Sequence, residues 1–265
     1  MFLSCLLVDT GINPDRPRPG RAWLRNLYHV HQRLCMAFPS HERKDCDPDF
    51  LAPYAPEHFP AQHHLADRKK TEVAPDLLKQ VHSPRSPEAG FLFRIDPGPA
   101  GRAMILVQSA VKPDWDYAFQ NARFLLAAPA EVKAYEPGFA VGQRLRFRLA
   151  ANPTRKLSQH SLERDGKPVK KESIGKRVPV PADQLFDWLA RRADARGFSI
   201  QKETTTVQAG YTFESKARDS KGQRLRSVRY EGILTVTDSD KFRNTLVSGI
   251  GPGKAFGFGL VSVAP

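Results

Sequence analysis

The sequence has few cysteines, no long apolar run and comparatively few acidic residues. Its three cysteines, Cys5, Cys35 and Cys46, are odd in number and irregularly spaced, which argues against a disulfide framework and favours a reducing cytoplasm. No segment is apolar over the ~20 residues that a membrane-spanning helix needs. Met1–Val8 is too short for a secretory signal and lacks a basic flank. These absences predict a cytoplasmic chain that is not embedded in a membrane.

The sequence also lacks the usual signatures of metal-dependent and nucleophilic enzymes. It contains no G-x-S-x-G elbow, no H-E-x-x-H motif and no close carboxylate cluster of the kind that two-metal nucleases use. Five of the eight histidines lie in a Pro- and His-rich segment at about 40–88. Their spacing matches no metal-ligand template, so this segment is interpreted as an irregular solvated insertion, with a metal site as the alternative. No metal and no other cofactor is predicted.

The charge balance is strongly positive. Lys and Arg total 41 against 28 Asp and Glu, which gives a formal net charge of +13. The positive side chains repel one another unless a polyanion neutralises them, and RNA, DNA or an anionic membrane surface could do so.

The periodicity of apolar residues predicts an α+β fold in two halves. The first half reads strand, helix, strand, strand, helix, strand at Phe2–Val8, Leu24–Phe38, Phe91–Ile95, Ala103–Ala110, Trp115–Leu126 and Arg144–Leu149. Two starts are predicted for the first helix, one directly after Gly20 and one at Asn26, whose side chain is a good N-cap. The second half reads Arg177–Val180, a helix at Pro181–Ala195, strands at Phe198–Val207, Tyr211–Lys216 and Arg224–Val236, a helix at Ser239–Val247 and a strand at Phe258–Val263. The order β-α-β-β-α-β is ferredoxin-like. We therefore predict tandem ferredoxin-like domains at 1–150 and 176–265, joined by a basic linker at 151–175.

One face of the first helix carries a candidate catalytic pair. At about 100° per residue, His31 falls within the apolar stripe, Tyr28 shares its face and His29 points away. Histidine can accept and donate a proton near neutral pH, and a tyrosine one turn away can orient it. RNA cleavage by the substrate's own 2′-hydroxyl needs only such proton transfer and positioning. The alternative is a structural core histidine.

Basic side chains concentrate in three segments. They are Arg144, Arg146 and Arg148 on one face of a strand, Lys176 and Arg177 before the second helix, and Lys216, Arg218, Lys221 and Arg224 around a hairpin turn. Each segment alone could be a solvated face. Three of them in a basic chain favour a nucleic-acid surface that reads the backbone and shape of an RNA duplex or hairpin.

A glycine-rich loop lies near the C-terminus. Five glycines fall within the eleven residues from Gly249 to Gly259 and bracket Lys254. Glycines allow a backbone to approach a ligand closely, and free N–H groups beside a lysine suit a phosphate. The loop opens no helix and follows no strand, so it is neither a Walker loop nor a dinucleotide fingerprint. A tight connection is the alternative.

Taken together, these motifs resemble the CasE family of CRISPR repeat-processing endoribonucleases of type I-E systems. The similar segments are N-L-Y-H-V-H at 26–31, V-Q at 107–108, K-P-D-W at 112–115, R-L-R-F-R-L-A-A-N-P at 144–153, G-K-R-V at 175–178 and G-I-G-P-G-K-A-F-G-F-G-L at 249–260. The resemblance implies tandem ferredoxin-like domains of the RAMP type.

The resemblance also implies a function. It assigns the catalytic pair to Tyr28 and His31, and it implies binding of the repeat stem-loop, cleavage at the 3′ base of the stem and retention of the mature crRNA in Cascade, near the backbone subunit. The expected RNA-binding residues are Arg25, Arg144, Arg146, Arg148, Lys176, Arg177, Lys216, Arg218, Lys221, Arg224, Gly251, Gly253 and Lys254. Two rival interpretations are a non-catalytic RNA-binding subunit of the same architecture and a basic ribosome-associated or assembly protein.

Overall fold

The computed structural model describes residues 1–11, 18–38, 90–158, 171–214 and 223–265. Its contacts divide the chain into two compact units, Met1–Phe91 with Ile95–Tyr135 and Leu92–Arg94 with Glu136–Pro265. The predicted insertion at 40–88 and the turn of the predicted basic hairpin lie outside the described residues. Among the helices of the described ranges, none has the length and apolar character needed to cross a membrane.

The first unit contains a four-stranded sheet, apart from Leu92–Arg94 of one strand, which group with the second unit. Its elements are β1 (Phe2–Val8), α1 (Pro19–Leu24), α2 (Leu27–Cys35), β2 (Phe91–Pro97), β3 (Ala103–Ser109), α3 (Trp115–Phe119) and β4 (Glu131–Ala134). The strand order is β2-β3-β1-β4, and β1 pairs antiparallel with both β3 and β4. Strand and helix order together make this unit ferredoxin-like, as predicted.

Both helical segments predicted in this unit are shorter than expected. The first is two helices, because the chain leaves helical geometry at Asn26, whose φ of −116° and ψ of 95° are extended. The second ends as an α-helix at Phe119 and continues through a 3₁₀ turn at Arg123–Leu125, because Ala122 has a φ of −147°.

The fourth strand of the first unit is β4, which the sequence did not predict. All four of its side chains are exposed, so it lacks the apolar alternation by which strands are predicted. β4 lies at the edge of the sheet, and within the described residues it pairs with β1 alone. In this pairing Phe2 lies opposite Ala134 and Cys5 lies opposite Glu131. The prediction that Arg144–Leu149 completes the first half is therefore wrong.

The second unit repeats the same topology. Its main elements are β5 (Arg144–Ala151), α4 (Leu185–Asp194), β8 (Phe198–Glu214), β9 (Gln223–Val236), α5 (Ser239–Ser248) and β10 (Val261–Ala264). The sheet order is β10-β5-β9-β8, so β5 is the first strand of this unit and lies at its centre. This unit begins at Glu136 rather than near residue 176, because β5 pairs with β9 and β10.

Two short strands connect β5 to α4. β6 (Thr154–Lys156) and β7 (Arg177–Pro179) pair with each other in a separate two-stranded sheet. The predicted strand at 177–180 is thus real but does not join the main sheet. The first strand of the second repeat is β5, not the predicted strand at 177–180.

The strand predicted as two pieces at 198–207 and 211–216 is the single long β8. The pairing of β8 with β9 shifts register between Ile200 and Thr205. Opposite this bulge lies Gly232, where an added Cβ would stand 2.1 Å from the carbonyl oxygen of Thr204. Only glycine permits this close approach of the two backbones.

The core of the second unit lies between one sheet face and its two helices. The core residues include Leu145, Phe147 and Leu149 of β5, which pack in one cluster with Trp188 of α4 and Phe242 of α5. Arg144 and Arg146 alternate with them and are exposed. The predicted alternation along this strand is confirmed.

Candidate functional site

The helix with the candidate catalytic pair begins at a side-chain cap. Asn26 Oδ1 accepts hydrogen bonds from the backbone N–H of Tyr28 at 3.1 Å and of His29 at 3.4 Å. These two N–H groups have no partner inside the helix, so the cap fixes the first turn of α2. The prediction of Asn26 as an N-cap is confirmed.

Further contacts hold α2 against α3. The Arg33 guanidinium donates to the Ala118 carbonyl at 3.0 Å and to Asn121 Oδ1 at 2.8 Å. Burial lowers the pKa of Arg33 from its usual value, but an arginine pKa starts so high that the group stays charged. The N–H of Asp114, which caps α3, donates to the Ala37 carbonyl at 2.8 Å. The helix is therefore fixed along its length, as a positioned catalytic group requires.

His31 is half-buried on α2, whereas His29 is exposed. The His31 ring lies 5.5 Å from the Phe91 ring, centroid to centroid, at an interplanar angle of 33°. Phe91 itself stacks on Phe38 at 5.1 Å. On α2, the Cys35 sulfur lies 3.5 Å from Nε2 of His31 and 3.8 Å from Nδ1. The imidazole thus has an aromatic and a thiol neighbour and still reaches the surface.

Tyr28 is half-buried and lies one turn before His31. Residues three apart on a helix are neighbours on its surface. The structure therefore presents both side chains of the predicted pair on a braced helix. The same helix buries Leu27, Val30 and Leu34.

The three arginines of β5 differ in their contacts. Arg148 Nε lies 2.7 Å from Glu231 Oε1, and Arg146 Nε donates to the Pro265 carbonyl at 2.9 Å. Arg144 is exposed and lines a polar depression of about 230 Å³ together with Ser199, Gln201, Thr204, Ile233 and Thr235. The three share a sheet face as predicted, but a carboxylate already offsets the charge of Arg148.

The glycine-rich loop is shaped by its own packing. Gly253 has a φ of 83°, and an added Cβ would stand 2.9 Å from Cδ2 of Phe258. At Gly251, which also has a φ of 83°, a Cβ would stand 3.0 Å from the Trp188 ring. The Ile250 N–H closes the loop by donating to the Gly259 carbonyl at 2.9 Å. Gly251 and Gly253 are therefore required by the backbone conformation and packing of the loop itself. The interpretation of the loop as a phosphate-binding site did not include this structural role.

Known proteins with similar sequences and structures identify the family. The family described as CRISPR associated protein matches residues 60–265. The chain belongs to this CRISPR-associated protein family. It is 33% identical over 187 residues to the CRISPR-associated endoribonuclease Cse3 of Thermus thermophilus, an alignment that covers 66% of this chain and 80% of the relative.

One more relative and a solved structure of Cse3 extend this result over most or all of the chain. The CRISPR system Cascade subunit CasE of Escherichia coli K12 is 26% identical over 247 residues, which cover 92% of this chain and 95% of the relative. A solved structure of Thermus thermophilus Cse3 bound to an RNA that represents a pre-cleavage complex superimposes with a TM-score of 0.63 at 26% identity and covers 100% of this chain and 98% of that one.

Several of the predicted RNA-binding residues of this family member are visible, and others are not described. Arg25 is exposed directly after α1, and Lys176 and Arg177 are exposed at the start of β7, while Lys254 is half-buried. Lys216, Arg218 and Lys221 lie outside the described residues, and Arg224 is described only as part of the β9 backbone. In the described ranges, no group of three His, Cys, Asp or Glu side chains could hold a metal ion.

Sequence reasoning missed several residues at these sites. Phe91 and Cys35 contact His31, and only the spacing of Cys35, one turn after His31, could have indicated it. On α4, the Arg192 guanidinium lies 4.1 Å from the centre of the Trp188 ring. The signal for this contact was the four-residue spacing of the two side chains in the helix.

Proposed function

We propose that this chain is a metal-independent endoribonuclease that binds the stem-loop of a CRISPR repeat RNA and cleaves it at the 3′ base of the stem. The observation that carries the proposal is the pair of half-buried side chains, Tyr28 and His31, on a helix that is held by its cap and by the hydrogen bonds of Arg33 to Ala118 and Asn121. Membership in the CRISPR-associated family, with relatives named as an endoribonuclease and as a Cascade subunit, supports it.

The chemistry required of His31 is proton transfer. The 2′-oxygen of the nucleotide before the cut attacks the adjacent phosphorus, and the bond from phosphorus to the 5′-oxygen breaks. One proton leaves the 2′-hydroxyl and one is needed by the departing 5′-oxygen, and an imidazole near neutral pH can serve either step. The products are a 2′,3′-cyclic phosphate and a 5′-hydroxyl.

Tyr28 completes the pair. Its hydroxyl can donate a hydrogen bond to charge that develops on the reacting phosphate, or orient the imidazole. Phe91 packs beside the His31 ring and restricts its rotation. The enzyme's contribution is thus positioning and proton transfer, with the nucleophile supplied by the RNA.

RNA binding is proposed for the basic residues named from the sequence. Arg144, Arg146 and Lys176 are exposed and can reach phosphates directly. We propose that the cleaved hairpin stays bound and joins the protein to the other Cascade subunits in the cytoplasm.

Cleavage in the presence of a chelator tests this function. Purified protein is incubated with a panel of repeat hairpins in excess EDTA, and product is measured under single-turnover conditions. We expect cleavage of one hairpin at the 3′ base of its stem, at a rate that added Mg²⁺ leaves nearly unchanged. Binding without cleavage would instead indicate a non-catalytic RNA-binding subunit, and a strict Mg²⁺ requirement would contradict the metal-independent mechanism.

A further inference from the structure

Four arginines of the second unit form a cluster beside α4. Arg191 and Arg192 lie in the last turns of α4, Arg196 follows its end, and Arg177 comes from β7. We call these four residues the α4 arginine cluster. Arg177 and Arg191 are exposed, and Arg192 and Arg196 are half-buried.

Trp188 and Thr154 hold part of the cluster together. The Arg192 guanidinium lies over the Trp188 ring and donates to the Trp188 carbonyl at 2.9 Å. Trp188 Nε1 donates to the Thr154 carbonyl at 3.3 Å, and Arg177 donates to the hydroxyl of the same threonine at 3.3 Å. Arg192 and Arg177 are thus oriented by a shared set of neighbours.

The cluster is continuous with the glycine-rich loop. Arg196 donates to the carbonyl of Gly249, the first residue of the loop, at 3.1 Å. Gly251 lies against the Trp188 ring, where an added Cβ would make a tight contact at 3.0 Å. Trp188 itself is buried, so Arg177 and the start of the loop are linked through contacts with one core side chain and its neighbours.

The charges within the cluster repel one another. Burial lowers the pKa of Arg192, and the neighbouring charges of Arg191, Arg196 and Arg177 lower it further. Tyr230 also acts on this group, but burial raises the pKa of its hydroxyl so far that it stays neutral at physiological pH. Among the described residues, none of the four arginines forms an ion pair with a carboxylate. An external anion would remove this repulsion.

We propose that the α4 arginine cluster binds backbone phosphates of the repeat RNA and extends the RNA-binding surface of the second unit toward the glycine-rich loop. The inference rests on the proposed function. The guanidinium fork matches the geometry of phosphate oxygens, and the planar group of Arg192 is already oriented by Trp188. An acidic protein surface is the competing occupant, and the experiment separates the two.

The test is the salt dependence of RNA binding. The ligand is the cleavable repeat hairpin with a 2′-deoxy nucleotide before the cut, so that binding is measured without cleavage. The primary variant is Arg191→Gln, because this side chain is exposed and donates a hydrogen bond within its own helix, to the Asp187 carbonyl at 3.3 Å. Arg196→Gln is added to it in a double variant, whose folding is checked by thermal melting.

A matched control removes the same charge elsewhere. Lys241 lies 3.0 Å from Asp238 Oδ2, so its charge is already offset, and Lys241→Gln should leave RNA binding nearly unchanged. Removing one phosphate interaction lowers the steepness of log K against log salt by roughly 0.7–0.9. We expect that decrease for Arg191→Gln, about twice that decrease for the double variant, and a roughly 10- to 100-fold loss of affinity for the double variant at ~0.1 M salt.

Ethylation of individual phosphates identifies the interaction directly. Ethylation of a phosphate that the cluster contacts should weaken RNA binding by the wild-type protein. The same ethylation should not weaken RNA binding by the double variant. If both arginine variants match Lys241→Gln in affinity and slope while wild-type cleavage is normal, the inference is wrong and the proposed function stands. Loss of association with other Cascade subunits at unchanged RNA slope would likewise reject RNA in favour of a protein partner. A wild-type protein that neither binds nor cleaves any repeat hairpin would overturn both.

Discussion

At the scale of single residues, the environment of His31 separates it from the other histidine on its helix. His31 contacts Phe91 and Cys35 and is half-buried, whereas His29 is exposed. A partly enclosed imidazole is oriented before the substrate arrives, which an exposed one is not. The two histidines therefore form a natural pair of test and control positions.

We predict that His31→Ala lowers the single-turnover cleavage rate by about 10²–10⁴-fold, the usual contribution of a general acid or base. Affinity for the hairpin should stay nearly unchanged, because the RNA is held mainly by basic residues. Tyr28→Phe should reduce the rate less. His29→Ala is the control and should be close to wild type, and wild-type cleavage by His31→Ala would refute the assignment.

Cys35 gives a second prediction at this scale. Its sulfur lies 3.5 Å from His31 Nε2, so a maleimide attached to it would occupy the space beside the imidazole. Treatment with N-ethylmaleimide should therefore inactivate cleavage in the wild type and in Cys5→Ser and Cys46→Ser variants. Burial raises the pKa of the Cys5 thiol and slows its reaction. If Cys35→Ser is inactivated as quickly as the wild type, the proximity of this thiol has no bearing on the site.

At the scale of elements, the helix with the candidate pair depends on its cap. Asn26 satisfies two N–H groups at the start of α2, one of them the N–H of Tyr28 itself. Removing the cap should fray the turn that carries Tyr28, while leaving α3 and the sheet in place.

Asn26→Ala should lower the free energy of unfolding by about 1 kcal/mol, as measured by urea denaturation. The single-turnover rate should fall with it, whereas Asn26→Asp should retain both, because aspartate caps as well as asparagine. An alanine variant with wild-type stability and rate would show that the cap does not position the pair.

The glycine-rich loop gives another prediction for an element. Gly253 and Gly142 have nearly the same φ, 83° and 85°, but only at Gly253 would an added Cβ meet a neighbour, at 2.9 Å from Phe258. Gly253→Val should therefore impair folding and cleavage more than Gly142→Val, and more than Lys254→Ala. The stability of the two valine variants is measured by thermal melting. If the two are equally stable, Gly253 is required only for its positive φ and not because a side chain would contact Phe258.

At the scale of the whole molecule, the sequence predicted the fold class and both repeats but assigned two strands to the wrong places. The predicted fold class stays correct despite these two errors, because one β-α-β-β-α-β unit follows directly on another along the chain. β4 was not predicted because all its side chains are exposed. The alternating apolar residues of β5 were therefore assigned to the fourth strand of the first repeat. An edge strand without a buried face has no periodic signal.

The sites show the same limit. The helix face with Tyr28 and His31 follows from periodicity alone and was predicted. The packing of Gly251 against Trp188 and the hydrogen bonds of Arg177 and Trp188 with Thr154 join segments that are distant in the chain, which no local pattern could reveal. The net charge of +13 indicated a polyanion but could not place it.

The most direct test of the central claim is cleavage of a repeat hairpin whose nucleotide before the cut lacks its 2′-hydroxyl. We predict that the all-ribose hairpin is cleaved in EDTA to a 2′,3′-cyclic phosphate or 3′-phosphate end. The single 2′-deoxy hairpin should bind with similar affinity and remain intact. Cleavage of the 2′-deoxy hairpin, or a product with a 3′-hydroxyl end, would contradict attack by the 2′-oxygen and with it the role given to His31.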